Sequence, residues 1–391
     1  MTWEQAAGAS SLNSPLSQSG GRGPLRERAA RRSPLLAAAL ACLLTGCLPT
    51  SQREADRSVS AADSASAALA ARTPVDTLEG VWTASPPQPM RLASTISWLG
   101  DGLAVVETGQ GSVQRFTAAG AFWDATPLPA DGYPYGAGTR GDTLVALARG
   151  PSELWWIVPG RGVVKRVPAP AGATAALAAR GRLAVRVGGG PDTLAPAVVR
   201  LDEGGTEVGR TPLTGPPWRS VGFLRAWGDT LLALSGYRPV VDRVAGSGAD
   251  TLALVGFDSP QLVRSAQFMR GDAGEPPLLA ASAAALSDRL FVLNLRDDHL
   301  RVDVYGRDGR LRRVLVEPGT REPLRPVPLD LAVRAASGGR GVEIAVLRAR
   351  PPGLLRDGAG AVALYRWRPA PAEADGAGSG ARSAPQAAAA R

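Results

Sequence analysis

The chain has 391 residues, of which 45% are hydrophobic, 47 are glycine and 33 are proline, and its formal net charge is +9. Glycine and proline make up about a fifth of the chain, which favours an all-β protein with many tight turns over a helical one. The basic residues are almost all arginine and are spread among acidic residues. This pattern is typical of a solvated surface and speaks against a nucleic-acid partner.

An apolar run of about eleven residues, 34–44, follows a pair of arginines near the start of the chain. It is too short to span a bilayer, which takes about twenty residues, but it has the length of the hydrophobic region of an export signal. The run leads into four residues in the order of a bacterial lipobox: Leu44, Thr45, Gly46 and Cys47. The motif predicts that residues 1–46 are a leader and signal peptide, and that the Cys47 thiol receives a lipid.

Lipid on Cys47 would hold the mature chain stably on a membrane. The next residue is Leu48, whereas an aspartate there would resemble an inner-membrane retention signal. We therefore expect a lipid-anchored protein of the cell envelope, on the outer membrane and facing the periplasm or the cell surface. The second cysteine, Cys42, lies inside the signal, so the mature chain has no cysteine pair for a disulfide.

The residues after the lipobox are small and polar, with almost no large apolar side chain until about Thr73. Such a segment cannot bury enough surface to offset the entropy of ordering, so 47–75 is predicted to be the acylated cysteine and a disordered tether. Residues 371–391 have a similar composition and are predicted to be a disordered tail. The folded body is then 76–370.

Within that body, a turn followed by an apolar β-forming segment recurs about every 48 residues. Glycine and aspartate suit a hairpin turn because they accept left-handed backbone or bond their own backbone. The turns are Gly100-Asp101, Gly141-Asp142, Gly181-Arg182, Gly228-Asp229, Ser287-Asp288 and Gly339-Arg340-Gly341.

Four short strands in a period of about 40–50 residues are typical of a β-propeller blade, whose faces are covered by its neighbours. The sequence therefore predicts an all-β, six-bladed propeller. Asp250-Thr251-Leu252 is a further partial match, so seven blades also fit the period. A pair of stacked β-sheets is the alternative fold. Trp98 and Trp227 stand just before their turns, where we expect them to pack between blades.

One period carries a family resemblance. Residues 105–116, with the sequence VVETGQGSVQRF, resemble the second and third strands of an NHL-type repeat. The resemblance implies a six-bladed propeller of the kind carried by some bacterial lipoproteins. Such repeats usually have Asp-Thr-Gly, and in this chain Glu107 stands in place of the aspartate. The resemblance implies no catalytic residue.

The residue types needed for most catalytic sites are scarce. His299 is the only histidine, which excludes a histidine-rich metal site, and no Gly-x-Ser-x-Gly motif is present. Residues 136–141 match a dinucleotide-binding pattern by letter, but they run into a strand and are read as a turn between blades. We expect no cofactor. A calcium ion in the channel stays open as an alternative, with Asn294 and the acidic turn 297–298 as the residues to inspect.

The loops after the second strand of each blade open on one face of a propeller, around the channel mouth. Arginines gathered there could hold carboxylate, phosphate or sulfated sugar by forked hydrogen bonds. The candidate ligand-binding residues on these loops are Arg149, Arg186, Arg238, Arg296 and Arg348, with Glu107 and Tyr237.

Together these features predict a non-catalytic, monomeric binding propeller, anchored in the membrane through its N-terminal lipid. Its ligand would be an envelope protein, a peptide or an anionic glycan. One alternative is an enzyme similar to the propeller lactonases or lyases, for which three or more carboxylates should converge on a channel metal. Another is a scaffold in outer-membrane assembly, which requires an exposed apolar groove.

Overall fold

The computed structural model describes residues 64–369, except 89, 91, 180, 189–194, 214–220, 247, 271, 273, 276, 297, 320–326, 340 and 350–359. The lipobox and Cys47, the predicted tail and Asp297 lie outside these residues. In the described part, the strands form six sheets. The chain enters through a helix, α1 (residues 64–72), and two strands, β1 (Val75–Thr77) and β2 (Glu79–Ala84).

Blades one to four each contain four antiparallel strands that follow one another in the chain. Blade one comprises β3 (Ala93–Leu99), β4 (Gly102–Glu107), β5 (Ser112–Phe116) and β6 (Phe122–Pro127). Blade two comprises β7 (Pro134–Arg140), β8 (Thr143–Ala148), β9 (Glu153–Val158) and β10 (Gly162–Pro168). Blade three comprises β11 (Ala173–Ala179), β12 (Arg182–Val187), β13 (Ala197–Leu201) and β14 (Glu207–Pro212). Blade four comprises β15 (Phe223–Trp227), β16 (Thr230–Leu234), β17 (Val240–Ala245) and β18 (Gly248–Ala253), and a helix, α2 (Leu262–Arg270), follows it.

Blades five and six are completed by the N-terminal strands. Blade five comprises β19 (Ala280–Leu286), β20 (Arg289–Asn294), β21 (Arg301–Tyr305) and β22 (Leu311–Val316), with β1 added in parallel to β22. Blade six comprises β23 (Val327–Ala335), β24 (Val342–Ala349) and β25 (Ala361–Trp367), with β2 as its outermost strand. An N-terminal strand and the C-terminal strand therefore pair in blade six.

The first strand of each blade is its innermost one. Each innermost strand contacts those of the blades before and after it, and β23 contacts β3, so the six blades form a closed ring. This arrangement confirms the prediction of a six-bladed propeller. The segment that suggested a seventh blade, Asp250-Thr251-Leu252, lies in β18, the outermost strand of blade four.

The second strands show why the blades depend on one another. In β8 the residues from Leu144 to Ala148 are all buried, because neighbouring blades cover both faces of the sheet. The outermost β6 instead alternates between exposed positions and positions that are buried or partly buried. Six clusters of buried apolar residues occur in the described chain, and each combines side chains of two adjacent blades. The core is therefore a set of blade junctions.

All six predicted turns join the first strand of a blade to its second. The leading residue has a left-handed backbone in all six turns, with φ of 58° at Gly100 and 60° at Gly141. In blade five this position is Ser287, with φ 55°. Glycine adopts this conformation at little cost, which explains its recurrence at the turns.

The glycine-rich segment 136–141 is placed differently from the prediction. It belongs mostly to β7, an innermost strand, and is not a turn between blades. A Cβ atom on Gly136 would lie 2.3 Å from Thr95 Oγ1, and one on Gly138 would lie 2.3 Å from the carbonyl oxygen of Ala178. The glycines therefore let β7 approach the innermost strands on both sides.

The described part of the predicted tether is also structured. Residues 64–72 form α1, whose Leu69 packs against the core between blades four and five. Ser66 Oγ accepts a hydrogen bond of 2.7 Å from the Gly256 backbone N–H. The alanine-rich sequence favours a helix, and the packing of Leu69 and the Ser66 hydrogen bond hold it on the propeller.

Both tryptophans contact a neighbouring blade, as predicted, but in opposite directions. The guanidinium of Arg334 in blade six stacks 3.6 Å from the Trp98 ring, whereas Trp227 Nε1 donates to the Ser287 carbonyl oxygen in blade five at 3.0 Å. Trp227 pairs with the first residue of its second strand and Trp98 with the second, and a shift of one residue turns a side chain to the other face.

Candidate functional site

The antiparallel order places the connections between second and third strands on one side of the ring, together with the connections from each blade to the next. We call this side the mouth face. In five of the six innermost strands, the pairing with the second strand shifts register near the start of the innermost strand. In blade one this shift lies between residues 93 and 95. Such bulges bend the strand where it lines the channel.

Glu107 ends the second strand of blade one and is fully buried. Its Oε1 accepts a hydrogen bond of 2.5 Å from the Leu92 N–H, and its Oε2 accepts one from the Gln110 N–H. The carboxylate therefore holds two backbone segments together. It is not presented to solvent as a ligand-binding group.

Two of the candidate arginines are buried in blade junctions. Arg186 has no exposed surface, and its Nη1 donates to the Leu234 carbonyl oxygen in blade four at 2.9 Å. Arg348 Nη2 donates to Glu317 Oε2 and to the Tyr365 hydroxyl, both at 2.6 Å. These side chains turn away from solvent because their oxygen partners lie between blades.

Arg296 takes part in a charged cluster at the mouth face of blade five. Its Nη2 donates to Asp258 Oδ2 at 2.9 Å, and Arg301 Nη1 donates to the same oxygen at 2.9 Å. Arg301 Nε also donates to Asp303 Oδ1 at 2.7 Å, and Asn294 Nδ2 donates to Asp303 Oδ2 at 2.7 Å. Two guanidiniums and two carboxylates therefore neutralise each other.

Burial sets the acid–base properties of this cluster. It raises the pKa of Asp303, although Arg301 and Asn294 favour the ionised form. It also opposes ionisation of Asp258, but hydrogen bonds and charges from Arg296 and Arg301 outweigh it, so the pKa of Asp258 is lowered. Burial, reinforced by the charge of Asp303, raises the pKa of Tyr305 well above its ordinary value. These groups have neighbours that fix their protonation, which suits a structural role.

Tyr237 and Arg238 lie in the connection after β16 and are half-buried. The Tyr237 carbonyl oxygen accepts a hydrogen bond of 3.1 Å from Ser265 Oγ on α2. Its backbone N–H donates to Ser235 Oγ at 3.4 Å. This connection is therefore braced against the helix that follows blade four.

Arg149 differs from the other candidate arginines because it is exposed. Its guanidinium stacks 4.0 Å above the ring of Tyr135, and its Nη2 donates to the Thr174 carbonyl oxygen in blade three. Tyr133, which immediately precedes β7, the innermost strand of blade two, is also exposed.

The predicted group of five arginines facing one ligand needs correction. Arg186, Arg348 and Glu107 are buried and serve the blade junctions, because their bonding partners lie there. Arg149, Arg238, Arg296 and Tyr237 keep solvent-accessible surface on the mouth face, and ligand binding by them stays a prediction.

The sequence analysis missed a polar bridge in the channel. Asp330 on β23 accepts a hydrogen bond of 2.9 Å from Arg225 Nη2 on β15, and another from Ser282 Oγ on β19. The other carboxylate oxygen accepts from the Ile96 N–H on β3 at 2.9 Å. One carboxylate thus links the innermost strands of four blades. A signal was available, since Asp330 interrupts the otherwise apolar run from Val327 to Val333.

These channel residues do not fit a calcium ion. Asp330 is the one acidic residue on the six innermost strands, whereas calcium takes six to eight oxygen ligands with several carboxylates among them. Both of its oxygens already accept hydrogen bonds, one of them from a guanidinium. Across the described residues, no group of three or more His, Cys, Asp or Glu side chains could hold a metal.

His299 lies on the mouth face, in the connection between β20 and β21. Its Nδ1 is 2.5 Å from Asp298 Oδ1, and the ring is partly buried. The ring therefore contacts the neighbouring carboxylate within this connection.

Comparison with known proteins gives structural likeness alone. No protein-family model and no curated protein matches the chain. Virginiamycin B lyase from Staphylococcus aureus is similar with a TM-score of 0.45 and 10% identity, over 73% of this chain and 98% of the lyase. Regucalcin from Agrobacterium tumefaciens, a calcium-binding protein, has a TM-score of 0.46 and 13% identity, over 75% and 96%. The WD40 domain of Pan2 from Neurospora crassa has a TM-score of 0.42 and 11% identity, over 75% and 97%. At this level the likenesses carry no argument about activity, and the sheet order above defines the fold.

Within the part of the chain that the structure describes, no helix has the length and apolar character needed to cross a bilayer.

Proposed function

We propose that this chain is a lipid-anchored, non-catalytic binding propeller of the bacterial cell envelope, which receives a protein ligand on its mouth face. The lipobox at Leu44–Cys47 supports the anchor and the envelope location, with the outer membrane as the expected membrane. The anchored propeller would act as a monomer.

The observation that carries the binding function is how the charged side chains around the channel are used. Asp330, Asp303, Asp258 and Glu317 each bond an arginine, and Glu107 bonds backbone amides. A general acid or base must exchange a proton with substrate, and a group held in an ion pair is poorly placed to do so. Among the described residues, the channel also offers no set of carboxylates for a metal, which argues against the lactonase-like or lyase-like alternative.

The mouth face, in contrast, presents Tyr133 and Arg149 to solvent. Tyrosine and arginine are enriched among the residues that dominate protein–protein binding energies. A protein ligand is therefore favoured over a small substrate. A scaffold for outer-membrane assembly falls within the same class of function.

The anchor is tested by substitution of either cysteine. We expect the Cys47→Ala protein to lose labelling by an alkyne analogue of palmitate and to leave the membrane fraction. Cys42→Ala is the matched control, since it alters the signal without removing the acylated thiol, and it should keep both properties. If the Cys47→Ala protein stays labelled and membrane-bound, the lipid anchor is refuted.

The binding face is tested by photo-cross-linking in the bacterium that makes the protein. p-Benzoylphenylalanine is placed at Tyr133 on the mouth face or at Trp123 on the outermost strand β6, which are similarly exposed at 60% and 63%. We expect a discrete cross-linked protein from position 133 and none from position 123. Cross-links from position 123 alone, or from neither position, would refute a protein ligand on this face.

A further inference from the structure

Four exposed or half-exposed side chains, Leu92, Tyr133, Tyr135 and Arg149, lie on the mouth face in neighbouring connections and strand starts, and we call this group the mouth strip. The Thr108 N–H in blade one donates to the Leu92 carbonyl oxygen at 3.0 Å. Thr108 Oγ1 donates to the Pro134 carbonyl oxygen in blade two at 2.6 Å. The strip therefore runs from blade one to blade two, and Arg149 extends it to blade three through its bond to Thr174.

Two unfavourable contributions oppose the outward placement of the Tyr133 side chain in the mouth strip. Tyr133 is 60% exposed, so the ring gains little from burial. Its backbone is left-handed, with φ 44°, which costs a non-glycine residue about 1–2 kcal/mol. The conformation is held in place by backbone contacts, since the Arg149 N–H donates to the Tyr133 carbonyl oxygen at 3.5 Å and the Gly150 N–H donates to that of Gly132 at 3.2 Å. Strain of this kind is concentrated at binding sites.

Arg149 has a positive charge that no carboxylate of the described residues neutralises. On the same face, Arg296 pairs with Asp258, Arg301 with Asp303 and Arg348 with Glu317. Partial loss of hydration lowers the pKa of the Arg149 guanidinium, and the Tyr135 ring stacked against it leaves its edge available for hydrogen bonds.

We propose that the mouth strip binds an acidic peptide segment of a protein partner, in which one carboxylate lies next to an apolar or aromatic side chain. The carboxylate bonds Arg149, and the apolar side chain packs on Leu92 and Tyr133. This inference rests on the proposed function, because it names the kind of protein segment that the mouth face receives.

The charge distribution favours a peptide over a polyanion. A sulfated glycan or a polyphosphate needs several cations that are not already neutralised. Among the described residues of this face, Arg296, Arg301 and Arg348 each bond a carboxylate, whereas Arg149 stands beside apolar surface. A peptide with one carboxylate next to an apolar side chain matches this combination of one cation and apolar surface.

The test uses the full-length protein in dodecylmaltoside and a phage-displayed library of random twelve-residue peptides. We expect the selected peptides to share an acidic residue next to an aromatic or large aliphatic one. Fluorescence anisotropy then measures the affinity of a synthetic copy of one such peptide. We expect Arg149→Met to weaken binding about tenfold or more, the loss of one charge-assisted contact. Replacing the acidic residue of the peptide by its amide should have the same effect.

Arg161→Met is the matched control, since Arg161 is exposed in the turn between β9 and β10 on the opposite face. It should leave the affinity unchanged. Arg149→Glu, selected against the same library, should enrich basic peptides instead. Tyr133→Ala provides a second variant, with an expected loss of about fivefold or more. Thermal unfolding of every variant verifies that the fold is kept.

Selected peptides with no common acidic residue, or equal affinity for wild type and Arg149→Met, would overturn the inference. Arg149-dependent binding of a heparin-derived oligosaccharide or of polyphosphate, without peptide binding, would also overturn it and would assign the strip to a polyanion. If photo-cross-linking at position 133 captures a protein while these peptide results are negative, the proposed function stands and the ligand class is wrong. If that cross-link is absent, the proposed function itself has failed.

Discussion

At the scale of single residues, the cluster in blade five depends on one guanidinium. Asp303 has no exposed surface and bonds Arg301 and Asn294, whereas Asp258 is half-exposed and has a second arginine, Arg296. A buried carboxylate without a partner is costly, and one that keeps contact with water is not. The two arginines are therefore unequal, although both bond Asp258.

We predict that Arg301→Met lowers the free energy of unfolding by about 3–5 kcal/mol, because Asp303 loses its buried partner. Arg296→Met, the matched control, should cost about 1 kcal/mol, since Asp258 keeps Arg301 and solvent. Urea denaturation at neutral pH measures both values. Similar losses for the two variants would show that Asp303 does not depend on Arg301.

Tyr305 makes stability sensitive to alkaline pH. Burial raises the pKa of Tyr305 well above the ordinary value of about 10, so the unfolded chain releases this proton at lower pH than the folded chain does. Its contribution to stability is full below about pH 10 and is lost as the pH rises from there through the folded-state pKa, by up to about 1.4 kcal/mol per pH unit. Lys165 is the only lysine, and arginines stay protonated, so few other groups titrate in this range.

Urea midpoints measured between pH 8 and 11 should therefore decline above pH 10 in the wild type and less steeply in Tyr305→Phe. The decline that remains is expected from Tyr365, whose pKa is also raised by burial. Tyr133→Phe, at an exposed tyrosine, should follow the wild-type curve. A Tyr305→Phe curve with the same slope as wild type would refute the assignment.

At the scale of strands and turns, glycines serve two separate purposes. Gly141 begins a hairpin turn with φ 60°, and a Cβ added to it would meet no atom within 4 Å. Gly138 lies within β7 with φ 132°, and a Cβ there would lie 2.3 Å from a backbone carbonyl of β11. Gly141 is needed for its backbone conformation alone, whereas Gly138 is also needed for the contact between blades two and three.

Alanine at these two positions should separate the purposes. We predict that Gly138→Ala lowers the free energy of unfolding by about 3 kcal/mol or more, since the backbone strain adds to a clash that β11 cannot relieve. Gly141→Ala should cost about 1 kcal/mol, the price of a left-handed alanine. The measurement is again the urea midpoint at constant slope. Equal losses would mean that innermost strands can separate without penalty.

The same contrast explains how much of the molecule could be predicted from the sequence. The turns at Gly100, Gly141 and Gly228 were found because hairpin chemistry is local, and their period gave the number of blades. Three of the candidate arginines, Arg149, Arg238 and Arg296, lie in the connections after second strands, whereas Arg186 and Arg348 lie within β12 and β24. What they bond was not predictable, because Arg186 meets a carbonyl and Arg348 a carboxylate 48 and 31 residues away. The Arg225–Asp330 bridge, across 105 residues, depends on the closed ring itself.

At the scale of the whole molecule, the N-terminal segment acts as a belt around the last three blades, which we define as α1, β1 and β2 with Leu78 between the strands. α1 packs at the junction of blades four and five, β1 extends blade five, and Leu78 is buried between blades five and six. β2 then supplies the outermost strand of blade six. We therefore expect the stability of the closed ring to depend on this segment of about twenty residues, which is distant in sequence from the blades it joins.

Two truncations test this dependence. A chain that starts at residue 64 keeps the belt, and we predict that it unfolds in one transition at the wild-type urea midpoint. A chain that starts at residue 85 lacks the belt, so blade six keeps three strands and exposes the edge of β25, and its midpoint should fall. Limited trypsin digestion locates the weakness, because Arg334, Arg348 and Arg366 all lie in blade six. These sites should be cut first in the shorter chain and resist in the longer one. If both chains show the same midpoint and the same order of cleavage, the ring closes through β23 and β3 alone, and the belt contributes nothing to its stability.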